Sequence, residues 1–185
     1  NLAREANTAV YLARAGHKVT YLTRLGDDPL SDDILQAICA ENIATDLVMR
    51  QTGATPGLYM ISNDSDGERH FSYWRDHAPA RALFDEPLRL AGLSHFYLSG
   101  ITLAVTRSGF DNLLALLQTL RKQGCRIVFD PNYRPALWDN QDQAQDHYRA
   151  VLPLCDIALP TLDDERVLWG LDSHTQCAAL YRDAG

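Results

Sequence analysis

Short β-prone runs alternate with helical stretches along most of this chain, and that rhythm restricts its fold more than any other feature. Parallel strands need a crossover long enough to hold a helix, so such alternation commits a sequence to a mainly parallel sheet flanked by helices. A helix is expected over 6–15, with Asn7 or Thr8 near its N-cap and Gly16 as its stop, then a strand over 18–23. Gly26, Asp27, Asp28 and Pro29 are turn residues, and Leu30, Ile34, Leu35 and Ile38 keep helical period over 30–40. The second half reads as strand 95–98, helix 108–123, strand 126–129, helix 141–152, strand 156–159 and helix 161–170, with a last helix closing on Gly185. The leucines at 113, 114, 116, 117 and 120 give the helix over 108–123 a broad apolar face.

One segment interrupts the rhythm. Residues 58–62 and 68–75 are β-prone and flank a polar turn containing Asp66-Gly67, a strong hairpin signal. Along the second strand Arg69, Phe71, Tyr73 and Arg75 fall on one face, and His70, Ser72 and Trp74 on the other. Neither face is cleanly apolar, which suits a small sheet that covers a ligand or a partner. The expected organisation is one partial α/β domain over 1–185 with a lid hairpin at about 55–76.

A net charge of −7 leaves no clustered basic face for phosphodiester backbones, so nucleic acid is not an expected partner. The chain holds no apolar run of about 18 residues and opens without a charged, then apolar, leader; neither a membrane span nor a signal peptide is expected. Cys39, Cys125, Cys155 and Cys177 lack CxxC or Cys/His spacing and read as small buried hydrophobes of a reducing cytoplasm. Asn1 leads almost directly into a helix and Gly185 closes one, so the chain is expected to be part of something longer.

In parallel sheets, ligands sit beyond the C-terminal ends of the strands. After the strand over 126–129 come Asp130, Pro131, Asn132, Tyr133, Arg134 and Pro135, a loop stiffened by two prolines that carries an acid, an amide and a guanidinium. Arg134 is either a ligand-binding cation or a solvated side chain on a well-ordered turn. After the strand over 156–159, Thr161 with Asp164 three residues on fits a helix cap with acids in the first turn. Capping alone accounts for that segment; the functional alternative places Asp164 or Glu165 near a magnesium-nucleotide. On the hairpin, Tyr59, Tyr73, Trp74 and Arg75 form either a structural aromatic strand or a recognition surface. Two potential anion receptors, Arg75 and Arg134, in an acidic protein point to a small anionic substrate. The six histidines share no ligand spacing, and the chain has no GxxxxGKS/T, GxGxxG or GxSxG string.

Several strings, in order and spread along nearly the whole chain, resemble the PfkB-type (ribokinase-like) carbohydrate kinases, and within them the kinases of sugar acids. They lie over 7–16, 56–61, 67–75, 98–101 and 129–138, with Leu25-Gly26-Asp27-Asp28 and Leu162-Asp163-Asp164-Glu165. Tyr73-Trp74-Arg75 and the Asn132-Tyr133-Arg134-Pro135 string that runs on to Trp138 are the specific ones; those at 7–16 and 25–28 mark only the wider family.

The resemblance implies ATP-dependent phosphorylation of the terminal hydroxyl of 2-dehydro-3-deoxy-D-gluconate in the cytoplasm, with Mg²⁺. It implies that Tyr59, Tyr73, Trp74 and Arg75 close over the sugar acid, that Arg134 binds it, and that Asn132, Tyr133 and Arg134 line the approach to the nucleotide phosphates. Asp164 and Glu165 would form the acidic patch associated with Mg²⁺, and the flap would mediate a homodimer. Another sugar kinase of the family, for fructose or ribose, and a non-catalytic binding protein are the alternatives. The sequence departs from the family pattern at Leu2-Ala3, where the family carries a Gly-Gly pair, and it lacks the Gly-Ala-Gly-Asp string that holds the family's general base. The chain alone is therefore expected to be inactive.

Overall fold

A computed structural model describes residues 3–64 and 67–184, apart from the side chains of Ala3, Arg4, Arg69, Phe71 and Tyr73. The chain divides into two compact units, Asn1–Leu83 and Phe84–Gly185. Leu2 and the turn residues Ser65 and Asp66 lie outside the described residues.

The first unit opens with α1 (Ala3–Arg14), which starts earlier than its sequence suggests and so encloses Asn7 and Thr8 instead of being capped by them. Gly16 does stop it: its φ of 88° is left-handed, its N–H reaches Ala13 O, and the His17 N–H reaches Leu12 O. Strand β1 (Thr23–Gly26) pairs in parallel with β2 (Val48–Gln51), Thr23 opposite Val48 and Gly26 opposite Gln51. The expected strand at 18–23 thus forms further along. Only an isolated bridge, Thr20 to Ala44, precedes the ladder, and a strand exists where a partner backbone runs beside it. Val48-Met49-Arg50-Gln51 gives no strong strand signal, and β2 was not expected for that reason. Helix α2 (Pro29–Ala40) links the two strands, and Ala9, Tyr21, Ile38 and Ile43 form the unit's core. Strand β3 (Leu58–Asn63) pairs antiparallel with β4 (Arg69–Trp74) in the expected hairpin, Leu58 opposite Trp74 and Asn63 opposite Arg69. A 3-10 turn at Pro79–Ala82 closes the unit.

The second unit is a three-stranded parallel sheet in the order β5-β6-β7. Its strands are β5 (His95–Ser99), β6 (Arg126–Asp130) and the short β7 (Ile157–Ala158). Between β5 and β6 run α3 (Gly100–Val105) and α4 (Phe110–Lys122), with α5 (Gln141–Val151) between β6 and β7. Helices α6 (Leu162–Trp169) and α7 (His174–Ala184) follow β7. Leu113, Leu116, Leu117 and Leu120 of α4 are buried with Ile127 and Phe129 of β6 and with Ala144, Tyr148 and Val151 of α5. Those α5 positions are spaced for one inward face. The short α3 was not expected. It begins where the Ser99 hydroxyl accepts the N–H groups of Ile101 and Thr102, at 3.2 and 3.4 Å.

All four cysteines are free; Cys125 and Cys177 are buried as expected, whereas Cys39 is exposed on α2. Burial pushes the Cys155 thiol up to about 12. Among the described residues, no helix is long and apolar enough to cross a membrane.

Candidate functional site

The loop between β6 and α5 lies at the sheet's C-terminal edge, beside the Ser99–Gly100 junction that ends β5. Backbone geometry at this edge is unusual. Asn132 is buried with a φ of 38°, one of two non-glycine residues with positive φ among those described. Gly100 has no room for a side chain: a Cβ there would stand 1.8 Å from the Tyr148 hydroxyl and 2.0 Å from the Pro131 carbonyl. Tyr148, wholly buried on α5, donates its hydroxyl to that same Pro131 carbonyl. Its ring meets Phe129 edge-on at 5.4 Å and Tyr133 at 6.4 Å, fixing the strand and the loop that leaves it.

Around Tyr148 the chain gathers its acids. Burial pushes the Tyr148 phenol far above its ordinary range, and Glu165, Asp164 and Asp130 push it further. Asp130 ends β6 and accepts the Tyr97 hydroxyl from β5 at 3.1 Å. Asp164, in the first turn of α6, accepts a hydrogen bond from Arg134 Nη1 at 2.8 Å through Oδ1. Arg134 Nη1 also reaches the carbonyl of Tyr133. Among the described residues no acceptor bonds to Arg134 Nε or Nη2, and the side chain is about one-third exposed (34%). The Nε–Nη2 edge of a guanidinium matches a carboxylate or phosphoryl group with two parallel hydrogen bonds.

The helix after β7 differs from its sequence reading. Thr161 sits at the N-cap of α6, but its side chain makes no capping bond. Asp164 is drawn to Arg134 across the loop instead of back to the cap. Glu165 is wholly buried and accepts the Tyr181 hydroxyl of α7 at 2.8 Å. Burial raises its carboxyl to about 7, Asp164 adds to the rise, and the Tyr181 hydrogen bond works against it. Of the two acids, Asp164 therefore reaches the partly open strand end, whereas Glu165 ties α6 to α7.

The second unit thus brings together Asp130, Asn132, Tyr133, Arg134 and Asp164. The hairpin residues belong to the first unit. Tyr59 is half exposed (50%) and Trp74 is exposed (59%), while Arg75 follows β4 with its backbone close to Gly57. Tyr73 pairs through its backbone with Tyr59, and its side chain lies outside what is described. His70 stands 3.0 Å from Asp64 Oδ2, and Glu68 joins this exposed cluster; an Asp–His pair and hairpin-closing backbone bonds account for it. Sequence reasoning missed Tyr97, Gly100, Tyr148 and Tyr181. A buried-face tyrosine at 148, whose hydroxyl must find a partner, was the available signal.

Over residues 4–184 the chain matches the model of a family described as pfkB family carbohydrate kinase. It is 40% identical over 190 aligned positions to the 2-dehydro-3-deoxygluconokinase of Escherichia coli, covering 97% of this chain and 62% of that one. With the Haemophilus influenzae protein of the same name it shares 41% over 174 positions, 88% of this chain and 55% of the other. A crystal structure of a PfkB protein from Polaromonas superposes with a TM-score of 0.85 at 26% identity, covering 98% of this chain and 62% of that one. The 2-dehydro-3-deoxygluconokinase of Thermotoga maritima gives 0.81 at 22%, with 98% and 59% covered. The fold is the ribokinase-like α/β architecture expected from the resemblance, and the chain spans under two-thirds of the length of these relatives.

Proposed function

The chain belongs to the pfkB family of carbohydrate kinases, and on that premise we propose that its protein phosphorylates the terminal hydroxyl of 2-dehydro-3-deoxy-D-gluconate. The observation that carries this reading is the two-donor edge of Arg134, held at the C-terminal end of β6. A neutral sugar offers such an edge only uncharged hydroxyl oxygens, whereas a sugar acid offers a carboxylate that takes both donors in a charge-assisted pair. The 40% identity to kinases named for that sugar acid supports the same choice.

Arg134 binds the anion, and Asn132 and Tyr133 shape the approach to the nucleotide phosphates. Tyr148 and Gly100 hold this loop in place, so that its donors need little rearrangement when ligand arrives. Asp164 is proposed as the acid that would help hold Mg²⁺; Glu165, though read beside it in the sequence, is buried against Tyr181 and is proposed as a strut. When bound, ATP would supply the phosphoryl group and Mg²⁺ would help neutralise the charge on it. Tyr59, Tyr73, Trp74 and Arg75 are proposed to form a lid over the sugar acid and, through the exposed residues of β3 and β4, the contact of a homodimer. The reaction is placed in the cytoplasm.

An ADP-release assay on the product of the whole gene tests the reading, with the sugar acid, fructose and ribose as acceptors. Arg134→Ala and Arg75→Ala should each raise KM for the sugar acid by about ten-fold or more, the loss of a charge-assisted pair, and change fructose turnover far less. Equal losses on fructose and on the sugar acid would overturn the choice of substrate.

A further inference from the structure

We infer that Asp164 is a positioning residue for Arg134, holding the guanidinium so that its Nε–Nη2 edge, and no other, meets the anionic group of the substrate. The inference rests on the reading of Arg134 as the anion receptor and adds what fixes its aim. A free arginine side chain has rotamer freedom that binding must remove, and a guanidinium offers more than one donor pair.

Here one nitrogen is taken out of play. Nη1 donates to Asp164 Oδ1 at 2.8 Å and also to the Tyr133 carbonyl, so two acceptors from different elements grip a single atom. The backbone beneath is equally constrained. Arg134 precedes Pro135, which restricts it to the extended conformation it adopts, with φ of −133° and ψ of 97°. Two residues earlier Asn132 takes its left-handed turn, and Tyr148 holds the Pro131 carbonyl.

Asp164 is suited to this task because α6 holds it. It lies on the helix that Glu165 anchors to Tyr181 of α7, and its side chain is 21% exposed. A charge-assisted bond in this partly enclosed place is stronger than a surface pair. The carboxylate therefore acts on the substrate through Arg134, and the sequence spacing of the two residues gave no sign of it.

A double-mutant cycle tests the inference on the whole gene product: Arg134→Ala, Asp164→Ala, the pair together, and Asp164→Asn, which keeps an acceptor oxygen. Sugar-acid affinity is read by calorimetry without nucleotide, and KM and kcat by turnover. Asp164→Ala should weaken sugar-acid binding about ten-fold and raise KM more than it lowers kcat. Asp164→Asn should restore most of that loss. In the Arg134→Ala background, Asp164→Ala should change binding less than two-fold. Additive effects in the double variant overturn the inference. So does a loss confined to the Mg²⁺ concentration needed for half-maximal rate, with sugar-acid affinity unchanged.

Nitrogen-15 spectra of the arginine side chains separate this from the choice of substrate. Restricted rotation of the Arg134 guanidinium in the wild type, released by Asp164→Ala, supports the clamp even if no sugar acid binds, and that second result alone would overturn the proposed substrate. Free rotation in the wild type overturns the clamp whatever the substrate is.

Discussion

Burying a carboxyl beside a second one holds the Glu165 proton to about pH 7, against 4.5 for the ordinary side chain. Below about pH 4.5 the residue is protonated both folded and unfolded, and its stabilising share is fully present. As pH rises the unfolded chain releases the proton first, so stability falls and levels off once pH has passed about 7. The loss sums to roughly 3 kcal/mol. Glu165→Gln keeps the shape and an acceptor for the Tyr181 hydroxyl without the charge. The variant should therefore match the wild type near pH 4.5 and exceed it by up to about 3 kcal/mol at pH 8. Urea midpoints taken across that range check this, and parallel profiles for the two proteins would refute the buried-carboxyl account. Neither the burial nor Tyr181 was visible in the string Asp163-Asp164-Glu165, because adjacent acids look alike until a helix turns one inward and the next outward.

Elements are specified mainly by local chemistry, and α2 shows how much that contributes. Asp28 Oδ1 accepts the N–H groups of Leu30 and Ser31 at 3.0 and 3.4 Å, and Oδ2 accepts the Ser31 hydroxyl at 2.7 Å. Pro29 follows at the first helical position, where its missing N–H does no harm. Asp28→Ala should cost about 1 kcal/mol, read as a lowered thermal midpoint, and Asp28→Asn should recover most of it. The glycine stop at 16 and the helical spacing of apolar residues made the longer helices legible from sequence, whereas Asp28 reads there only as a turn residue. The strands were legible only where an apolar run carried them. The run Ile127-Val128-Phe129 predicted β6, while the ladder of β1 lies several residues past its β-rich stretch, where β2 runs alongside. The hairpin was legible from its turn. The cluster around Tyr148 was not, since it joins β5, β6, α5 and α6 through contacts that have no signature in sequence spacing.

At the scale of the molecule, the hairpin is marked by its exposure. Every residue of β3 is exposed, and Leu58, Met60 and Trp74 are each about half exposed or more, at 47%, 54% and 59%. In register, Met60 faces Ser72 and Leu58 faces Trp74, so these three apolar side chains share one side of the ribbon. An uncovered patch of this kind marks a contact surface. If it joins two copies, as proposed, Met60→Lys should convert the dimer to monomer in analytical ultracentrifugation while leaving the helical circular dichroism unchanged. A monomeric wild type would remove the dimer from the proposal.

The same exposure has a kinetic consequence. The amides of β3 and β4 are protected by one ladder and by no third strand among the described residues, whereas β6 has a partner on each side and buries Ile127 and Phe129 completely. Ribbon amides should therefore trade hydrogen for deuterium by local opening, orders of magnitude sooner than those of β6, which await global unfolding. The ribbon becomes a built-in clock for occupancy, because anything bound to it, such as the proposed sugar acid or second subunit, suppresses local opening and slows an exchange that is read long before β6 exchanges at all.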